Sequence, residues 1–277
     1  MQETKVTKPI RTEHTSGYDI FQLPRINFNG GGVALCAVKH LQPVLLREGD
    51  NETEAISVSI TTNQMKIRCV CGYTQEKYSD DQKEKFWDFM SREVLEAEDA
   101  EQGIIIQMDS NAHAGTYVLK HDMIPQNNNG RRLCEFLKRH PNISVVNAMD
   151  ICDGTVTRIR ETVKSVEKSS IDFYLVNDIL KPFIIKMTID TKKEFCLTNY
   201  AHIKKNKQAI QSDHCPMTLQ LRIKYSKIKP QRNEHFNFRN SECQNIFKTL
   251  TEETDELTQC FENNLPAIKQ INLWEKK

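Results

Sequence analysis

Nothing in the chain approaches the ~18 consecutive apolar residues of a membrane span, and the N-terminus lacks the apolar core of a signal peptide. A soluble, intracellular protein with no membrane partner is the expectation. Charge of one sign is also lacking, since 38 basic residues meet 37 acidic ones for a net +1. A polyanion-binding site must then be local rather than a property of the whole surface. None of the nine cysteines forms a CxxC pair, so neither a zinc ribbon nor a disulfide framework is supported and reduced structural thiols remain. Gly30-Gly31-Gly32 is followed by neither GK[ST] nor a helix, which favours a flexible turn over a phosphate loop. There is no internal repeat and no low-complexity tract, which excludes repeat architectures.

What is present begins with length. At 277 residues the chain can bury a substantial core, as one large domain or one domain with an appendage. The stretch that organises it is Ile104-Ile105-Ile106-Gln107-Met108-Asp109-Ser110-Asn111-Ala112-His113. A buried strand here would carry a carboxylate, an amide and an imidazole at alternate positions, all on one side of an extended chain. A core strand ending in an Asx turn fits the same residues.

Residues 55–61 and 65–73 carry strand patterns separated by a polar hairpin turn. In the second, Ile67, Cys69, Cys71 and Tyr73 share a face, which puts Tyr73 at the strand end. Ser79-Asp80-Asp81-Gln82 matches a capping box, and Phe86, Met90, Val94 and Ala97 follow at helical spacing. The acidic residues Glu93, Glu96, Glu98, Asp99 and Glu101 read as that helix's solvated face. Helix followed by strand predicts a mixed α/β fold. A polar loop with Asn127-Asn128-Asn129-Gly130, a helix carrying Leu133, Phe136 and Leu137, and a strand over 143–148 come next. In 170–176, Ile171, Phe173 and Leu175 alternate, so Asp172 points out of their apolar layer.

Between 181 and 210 seven lysines, among them Lys192, Lys193, Lys204, Lys205 and Lys207, outnumber two acidic residues. Such a surplus suits a solvated loop or the tracking of a phosphate backbone. Ser212-Asp213-His214-Cys215-Pro216 then enters a strand in which Met217, Leu219, Leu221 and Ile223 alternate with polar residues. A histidine beside an aspartate at a strand start is suited to acid–base work, and equally to a satisfied surface turn. Residues 225–240 read as a polar, basic linker, followed by an amphipathic helix with Cys243, Ile246, Phe247, Leu250, Leu257, Cys260 and Phe261 on one stripe.

Glu3, Tyr73, Asp109, Asn111, Asp172, Asp213 and His214 together supply what phosphodiester cleavage needs. Those needs are carboxylates for a divalent cation, a group to activate water, and donors for the charged transition state. Oxygen ligands without a Cys/His cluster favour a hard ion such as Mg²⁺, with Mn²⁺ as a substitute.

Five motifs, Gln2-Glu3-Thr4, Cys71-Gly72-Tyr73, Met108-Asp109-Ser110-Asn111-Ala112-His113, Ser170-Ile171-Asp172-Phe173 and Ser212-Asp213-His214-Cys215-Pro216, occur in an order and at spacings that resemble the endonuclease/exonuclease/phosphatase superfamily. Within this DNase I-like group, the chain resembles the apurinic-endonuclease-like nucleases of non-LTR retrotransposons. The resemblance implies an α+β fold, a four-layer α/β/β/α sandwich of two mixed sheets with helices outside, spanning residues 1–224. It implies Glu3 as metal ligand with Asp213 near the metal, Asp109 orienting or deprotonating water, and Asn111 and Tyr73 on the scissile phosphate. Asp172 would hold His214, which contacts or protonates that phosphate. Residues 225–277 resemble the segment linking such an endonuclease to a reverse transcriptase, in an enzyme that nicks nuclear DNA to prime reverse transcription.

The chain departs from the pattern in four places. The family's first strand, with its Asn, does not precede Gln2-Glu3-Thr4; Met108 stands where the family has glycine; Glu76 replaces an Asn that often follows the Tyr; and no reverse transcriptase follows. The expectation is an incomplete piece of a retroelement polyprotein. Two other functions fit the same residues, an inactive remnant that binds nucleic acid and a phosphomonoesterase of the same superfamily.

Overall fold

A computed structural model describes residues 17–24, 32–50, 52–162, 165–192, 202–203, 209–210 and 212–224. In chain order its elements are β1 (Tyr18–Leu23), β2 (Val33–Val38), β3 (Val44–Glu48), β4 (Glu54–Thr61), β5 (Lys66–Tyr73), α1 (Asp80–Asp99), β6 (Gly103–Asp109), α2 (Asn128–Arg139) and β7 (Ile143–Val145). There follow β8 (Cys152–Asp153), β9 (Arg158–Glu161), β10 (Val166–Ser169), β11 (Asp172–Asn177), β12 (Ile184–Ile189), β13 (His202–Ile203), β14 (Ala209–Ile210) and β15 (Met217–Leu221). The expected linker and amphipathic helix of 225–277 lie outside the described residues.

The alternating runs on either side of residues 62–65 pair as the antiparallel hairpin β4–β5. The chain then leaves the sheet through α1 and returns as β6, parallel to β5, and a helical crossover is the short way to join two parallel strands. Ser79 caps α1 as its sequence predicts, its hydroxyl accepting from the Gln82 amide while the Gln82 side chain accepts from the Ser79 amide. β11 lies antiparallel to β6 and completes a six-stranded mixed sheet in the order β3-β4-β5-β6-β11-β7.

The pleat divides the sheet's side chains between two cores. Val70, Ile104, Ile106, Met108, Phe173 and Leu175 meet Phe86, Met90, Val94, Leu133 and Phe136 of the two helices. On the opposite face Ile67, Ile105, Tyr174 and Val176 meet Met187, Ile189, Met217, Leu219 and Leu221. The latter belong to a second sheet, β15-β12-β8, and the β1–β2 hairpin covers β4 and β5 through Phe21, Leu23, Val33 and Leu35. Two sheets face to face with helices outside the larger one form the predicted α/β sandwich. Both α-helices of the described residues lie on that one side. Among those residues no strand joins β1–β2 to β15-β12-β8.

Glu93 overturns part of the sequence reading. It is fully buried, not on a solvated face, and accepts from Arg47 and from Arg68 Nη1, the latter at 2.7 Å. Glu96, the next turn along, receives Arg47 Nη2 at 2.7 Å and Arg68 Nη1 at 2.9 Å. Helical periodicity puts Glu93 beside an apolar stripe, but only the sheet supplies the arginines that make its burial tolerable. The network ties α1 across β3 and β5, and so fixes the helix that returns the chain into β6.

The six cysteines of the described residues, Cys36, Cys69, Cys71, Cys134, Cys152 and Cys215, are all free thiols. Burial pushes Cys69 up to about 12 and Cys152 up to about 11, with Asp153 adding to the latter; both are protonated and inert at neutral pH.

Candidate active site

One row of residues crosses the large sheet at a single end. Glu54 pairs with Tyr73, Tyr73 with Asp109, and Asp109 with Asp172, on four adjacent strands. Register partners project to the same face, here the face turned toward the second sheet. Asp109 and Asp172 are 2% and 3% exposed, so two carboxylates meet at the mouth of the inter-sheet layer.

Asn111 reaches this point by a different route from the extended chain suggested by its alternation with Asp109. β6 ends at Asp109, and Asn111 is left-handed, with φ of 47°, a conformation asparagine tolerates better than most residues. The turn swings its side chain back. Its amide Nδ2 donates to Asp109 Oδ1 at 3.1 Å and to the Thr74 carbonyl at 2.9 Å, and its backbone N–H donates to the same Asp109 oxygen at 3.2 Å. One Nδ2 proton thus joins the backbone N–H in holding the carboxylate, while the other ties the turn after β6 to Thr74, just past the end of β5. His113 does not join the carboxylates, because the turn breaks the period of two; its backbone N–H donates to Asn127 Oδ1 at 3.0 Å instead.

The polar loop after β6 is braced by the asparagine run at the start of α2. Asn127 caps the helix through Gly130 N–H, and its Nδ2 donates to the Asn111 carbonyl at 2.8 Å. Asn129 Nδ2 donates to the Ser110 carbonyl at 2.7 Å. Gly130 allows the close approach, since a Cβ there would sit 1.8 Å from the His113 carbonyl oxygen.

His214 comes from the segment before β15, and Thr157 locks that segment to β11. The Thr157 hydroxyl accepts from the Ile171 and Asp172 amides at 3.0 and 3.1 Å, while its carbonyl accepts from Cys215 N–H at 2.6 Å. His214 Nδ1 consequently lies 3.1 Å from both Asp172 carboxylate oxygens. Its Nε2 lies 3.8 Å from Asp109 Oδ2, beyond hydrogen-bond reach. Burial works against the charged imidazole, but the hydrogen bond to Asp172 and the charges of Asp172, Asp109 and Asp213 outweigh it and raise the pKa to about 9. His214 is therefore an imidazolium at neutral pH, with Nε2–H directed away from its anchoring carboxylate.

That shift has a measurable consequence for stability. A histidine titrating at 6.5 when unfolded and about 9 when folded binds more protons in the native state, so its contribution is whole below pH 6.5 and vanishes as pH rises through 9. Urea unfolding in EDTA should show roughly 3 kcal/mol lost across this window, and the His214→Gln variant should lack the dependence.

Asp213 neighbours the cluster without entering it. Burial opposes its ionisation, yet the hydrogen bond from Arg158, the charge of Arg158 and that of His214 hold its carboxyl below the usual range. Arg158 Nε donates to its Oδ2 at 2.7 Å. Tyr73 is buried at the β5 end of the row, its hydroxyl accepting from Gln75 Nε2 at 2.6 Å. Lys192 is exposed at the end of the described 165–192 stretch; Glu3, Lys193, Lys204, Lys205 and Lys207 lie outside the described residues.

Thr157, Asn147 and Arg158 shape this site and carry no sequence signal of their own. Asn147 donates to the Asp172 carbonyl at 3.1 Å and accepts from Tyr174 N–H at 2.9 Å. Thr157 and Arg158 sit in a short segment whose spacing matches no template. Asn147 lies in the apolar run read as a strand over 143–148, which leaves the strand after Val145 for a 3-10 turn over Val146–Ala148. Only contact across the fold exposes their roles.

Asp109, Asp172 and His214 each offer a ligand atom, all within 4.8 Å of one another. With Asp213 they place three carboxylates against one imidazolium and one guanidinium, a formal surplus of one negative charge. Buried oxygen donors with unbalanced charge fit a hard divalent cation. Asp109 Oδ2 is the oxygen not committed to Asn111, whereas both Asp172 oxygens lie against the imidazole.

No protein-family model and no curated protein matches the chain. Solved structures do. The endonuclease domain of TRAS1, a telomere-specific non-LTR retrotransposon, superposes with a TM-score of 0.50 at 17% identity, over 75% of this chain and 81% of that one. The 3'-5' exonuclease NExo of Neisseria meningitidis gives 0.57 at 13% identity, over 79% and 87%. An AP endonuclease from Archaeoglobus fulgidus gives 0.51 at 15%, over 80% and 88%. A mixed six-stranded sheet faced by a second sheet, shared over most of their length with these nucleases, identifies the fold of this chain as that of the endonuclease/exonuclease/phosphatase, or DNase I-like, superfamily.

Proposed function

We propose that the protein hydrolyses phosphodiester bonds, as an endonuclease that nicks nuclear DNA so that a freed 3' hydroxyl primes reverse transcription of a retroelement. The observation that carries the hydrolytic reading is the convergence of Asp109 with the Asp172–His214 pair within 4.8 Å at one end of the sheet. The order of the five motifs and the likeness to the TRAS1 endonuclease domain support the retroelement setting. In that setting residues 225–277 lead toward a reverse transcriptase.

A divalent cation, Mg²⁺ or Mn²⁺, would be held by Glu3 beside the carboxylate cluster and would offset charge on a phosphate oxygen. The chain's own groups supply the rest. His214, held charged by Asp172, donates from Nε2 to a non-bridging phosphate oxygen and stabilises the negative charge that grows there. Asp109, oriented by Asn111, accepts a proton from the attacking water. The Tyr73 hydroxyl, one strand over, contacts the scissile phosphate.

A macromolecular substrate is favoured over a small phosphate ester by the loop between Asn111 and α2. It is fixed by the Asn127 and Asn129 hydrogen bonds and by Gln126 Nε2 to the Ala114 carbonyl at 2.7 Å. It nonetheless presents Tyr117 at 59% and Met123 at 81% exposure, with Lys138 Nζ 5.5 Å from the Tyr117 ring. Aromatic and cationic groups side by side suit bases and phosphates.

The deciding experiment is nicking of supercoiled plasmid with Mg²⁺ or EDTA. Relaxed circles with Mg²⁺ alone are expected. Silence in both, from a chain whose circular dichroism shows it folded, would mean an inactive remnant, and turnover confined to small phosphate monoesters would mean a phosphatase.

A further inference from the structure

We infer that Arg158 binds a phosphate of the nucleic-acid backbone beside the reaction centre, and that Asp213 serves to hold Arg158 rather than a metal. The inference deepens the proposed function and rests on its phosphodiester substrate.

Arg158 is fixed from both sides. Thr157, just before it, is bonded to the amides of Ile171, Asp172 and Cys215 as described above, and its own N–H donates to the Ser169 carbonyl at 3.0 Å. Ile159, just after it, donates its N–H to the Asp213 carbonyl at 2.8 Å, and Arg158 itself forms a backbone bridge with His214. Its Cα is therefore clamped between the two segments that bring the Asp172–His214 pair together. No other arginine of the described residues is joined to that pair in this way.

The side chain is held at one point only. Nε donates to Asp213 Oδ2 at 2.7 Å, and the arginine remains 29% exposed. Nη1 and Nη2, the groups that would receive a bidentate acceptor, form no hydrogen bond to the described residues. Gripping the guanidinium by Nε leaves its fork, the Nη1/Nη2 edge, open to a further acceptor. Two parallel N–H donors on a rigid plane match two oxygens of a phosphate. The carboxylate that orients the plane belongs to Asp213, covalently next to His214, so the fork and the imidazolium are presented from the same short segment.

This placement accounts for Asp213 without assigning it a cation. Its Oδ2 is already occupied by Arg158, and it does not share the close grouping of Asp109, Asp172 and His214.

The test uses the full chain and a fluorescent DNA duplex, with affinity read by anisotropy in EDTA and nicking read over a Mg²⁺ titration. Arg158→Ala should weaken duplex binding roughly tenfold and lower the slope of log affinity against log salt by about one. Arg158→Lys keeps the charge but loses the fork, and should recover only part of the affinity. Asp213→Asn should weaken binding in the same direction. All three should nick with the same half-saturating Mg²⁺ as the unaltered chain. Circular dichroism of each variant, with Arg158→Lys as the least disruptive, controls for folding.

Unchanged affinity in folded Arg158→Ala would overturn the inference, as would a raised Mg²⁺ requirement in Asp213→Asn alone. Because binding is read without metal, an unaltered chain that binds duplex but never nicks removes the nuclease reading while the Arg158 result still counts. No duplex binding by the unaltered chain at low salt removes both.

Discussion

His214→Ala is expected to lower the rate of plasmid nicking by 10² to 10⁴-fold, on the order of what a positioned proton donor contributes. The imidazole makes two contacts that alanine cannot replace. Nδ1 lies against both oxygens of Asp172, and Nε2 points across a 3.8 Å gap toward Asp109. Removing the ring leaves the Asp172 carboxylate buried without its cation and leaves the phosphate without its donor. Asp172→Asn separates the two effects, because it keeps the shape but removes the charge that raises the imidazole pKa to about 9. Its nicking rate should fall at neutral pH and recover in part below pH 6.5, where even an unassisted imidazole is protonated. Rates measured from pH 5.5 to 9.5 decide the matter. A His214→Ala rate within threefold of the unaltered chain would rule out this histidine as the donor.

Asp109→Ala is expected to cost at least about 10³-fold, and to be the less forgiving of the two substitutions. Asp109 joins three features in one side chain. One oxygen is held by two Asn111 donors, the other faces His214, and the strand that carries it lies at the centre of the sheet. The residue therefore presents a single oxygen in one direction, which is what positioning a water or a cation demands. Asp109→Asn keeps the volume and should be nearly as inactive, since its amide could serve neither as base nor as anionic ligand. Adding Mn²⁺ in place of Mg²⁺ should not rescue either variant. Full activity of Asp109→Asn would move the reaction elsewhere in the molecule.

Strands that alternate for a whole length were readable as strands: β4, β5 and β15 follow their period-two patterns, and α1 follows its capping box and its apolar stripe. Where a period breaks, reading from sequence failed. Alternation put Asn111 and His113 on one side with Asp109, but the chain turns at Asn111, and only Asn111 returns to the carboxylate. Glu93 looked like solvated helix surface because a glutamate's burial depends on a distant arginine, and Arg68 belongs to another element. Met108, standing where the superfamily has glycine, proved to be a buried contact of the helix-side core. A short turn, a buried charge and a residue's packing partner are each settled by neighbours that spacing does not reveal.

By itself the sequence determined the alternating strands β4, β5, β6, β11 and β15 and the helices α1 and α2, which residue types cluster at the strand ends, and the fold to which their order points, because periodicity and capping are local properties. β1, β3, β8, β9, β10 and β12 carried no such reading. The tertiary structure decided which of those residues meet. It brought Asp172 to His214 across 42 residues of chain and set Asp109 within 4.8 Å of them. It also turned Asp213 toward an arginine that no motif contained. Those pairings arise from sheet register and from hydrogen bonds such as those of Thr157, which couple segments far apart in the chain, and a reading based on local spacing has no access to them.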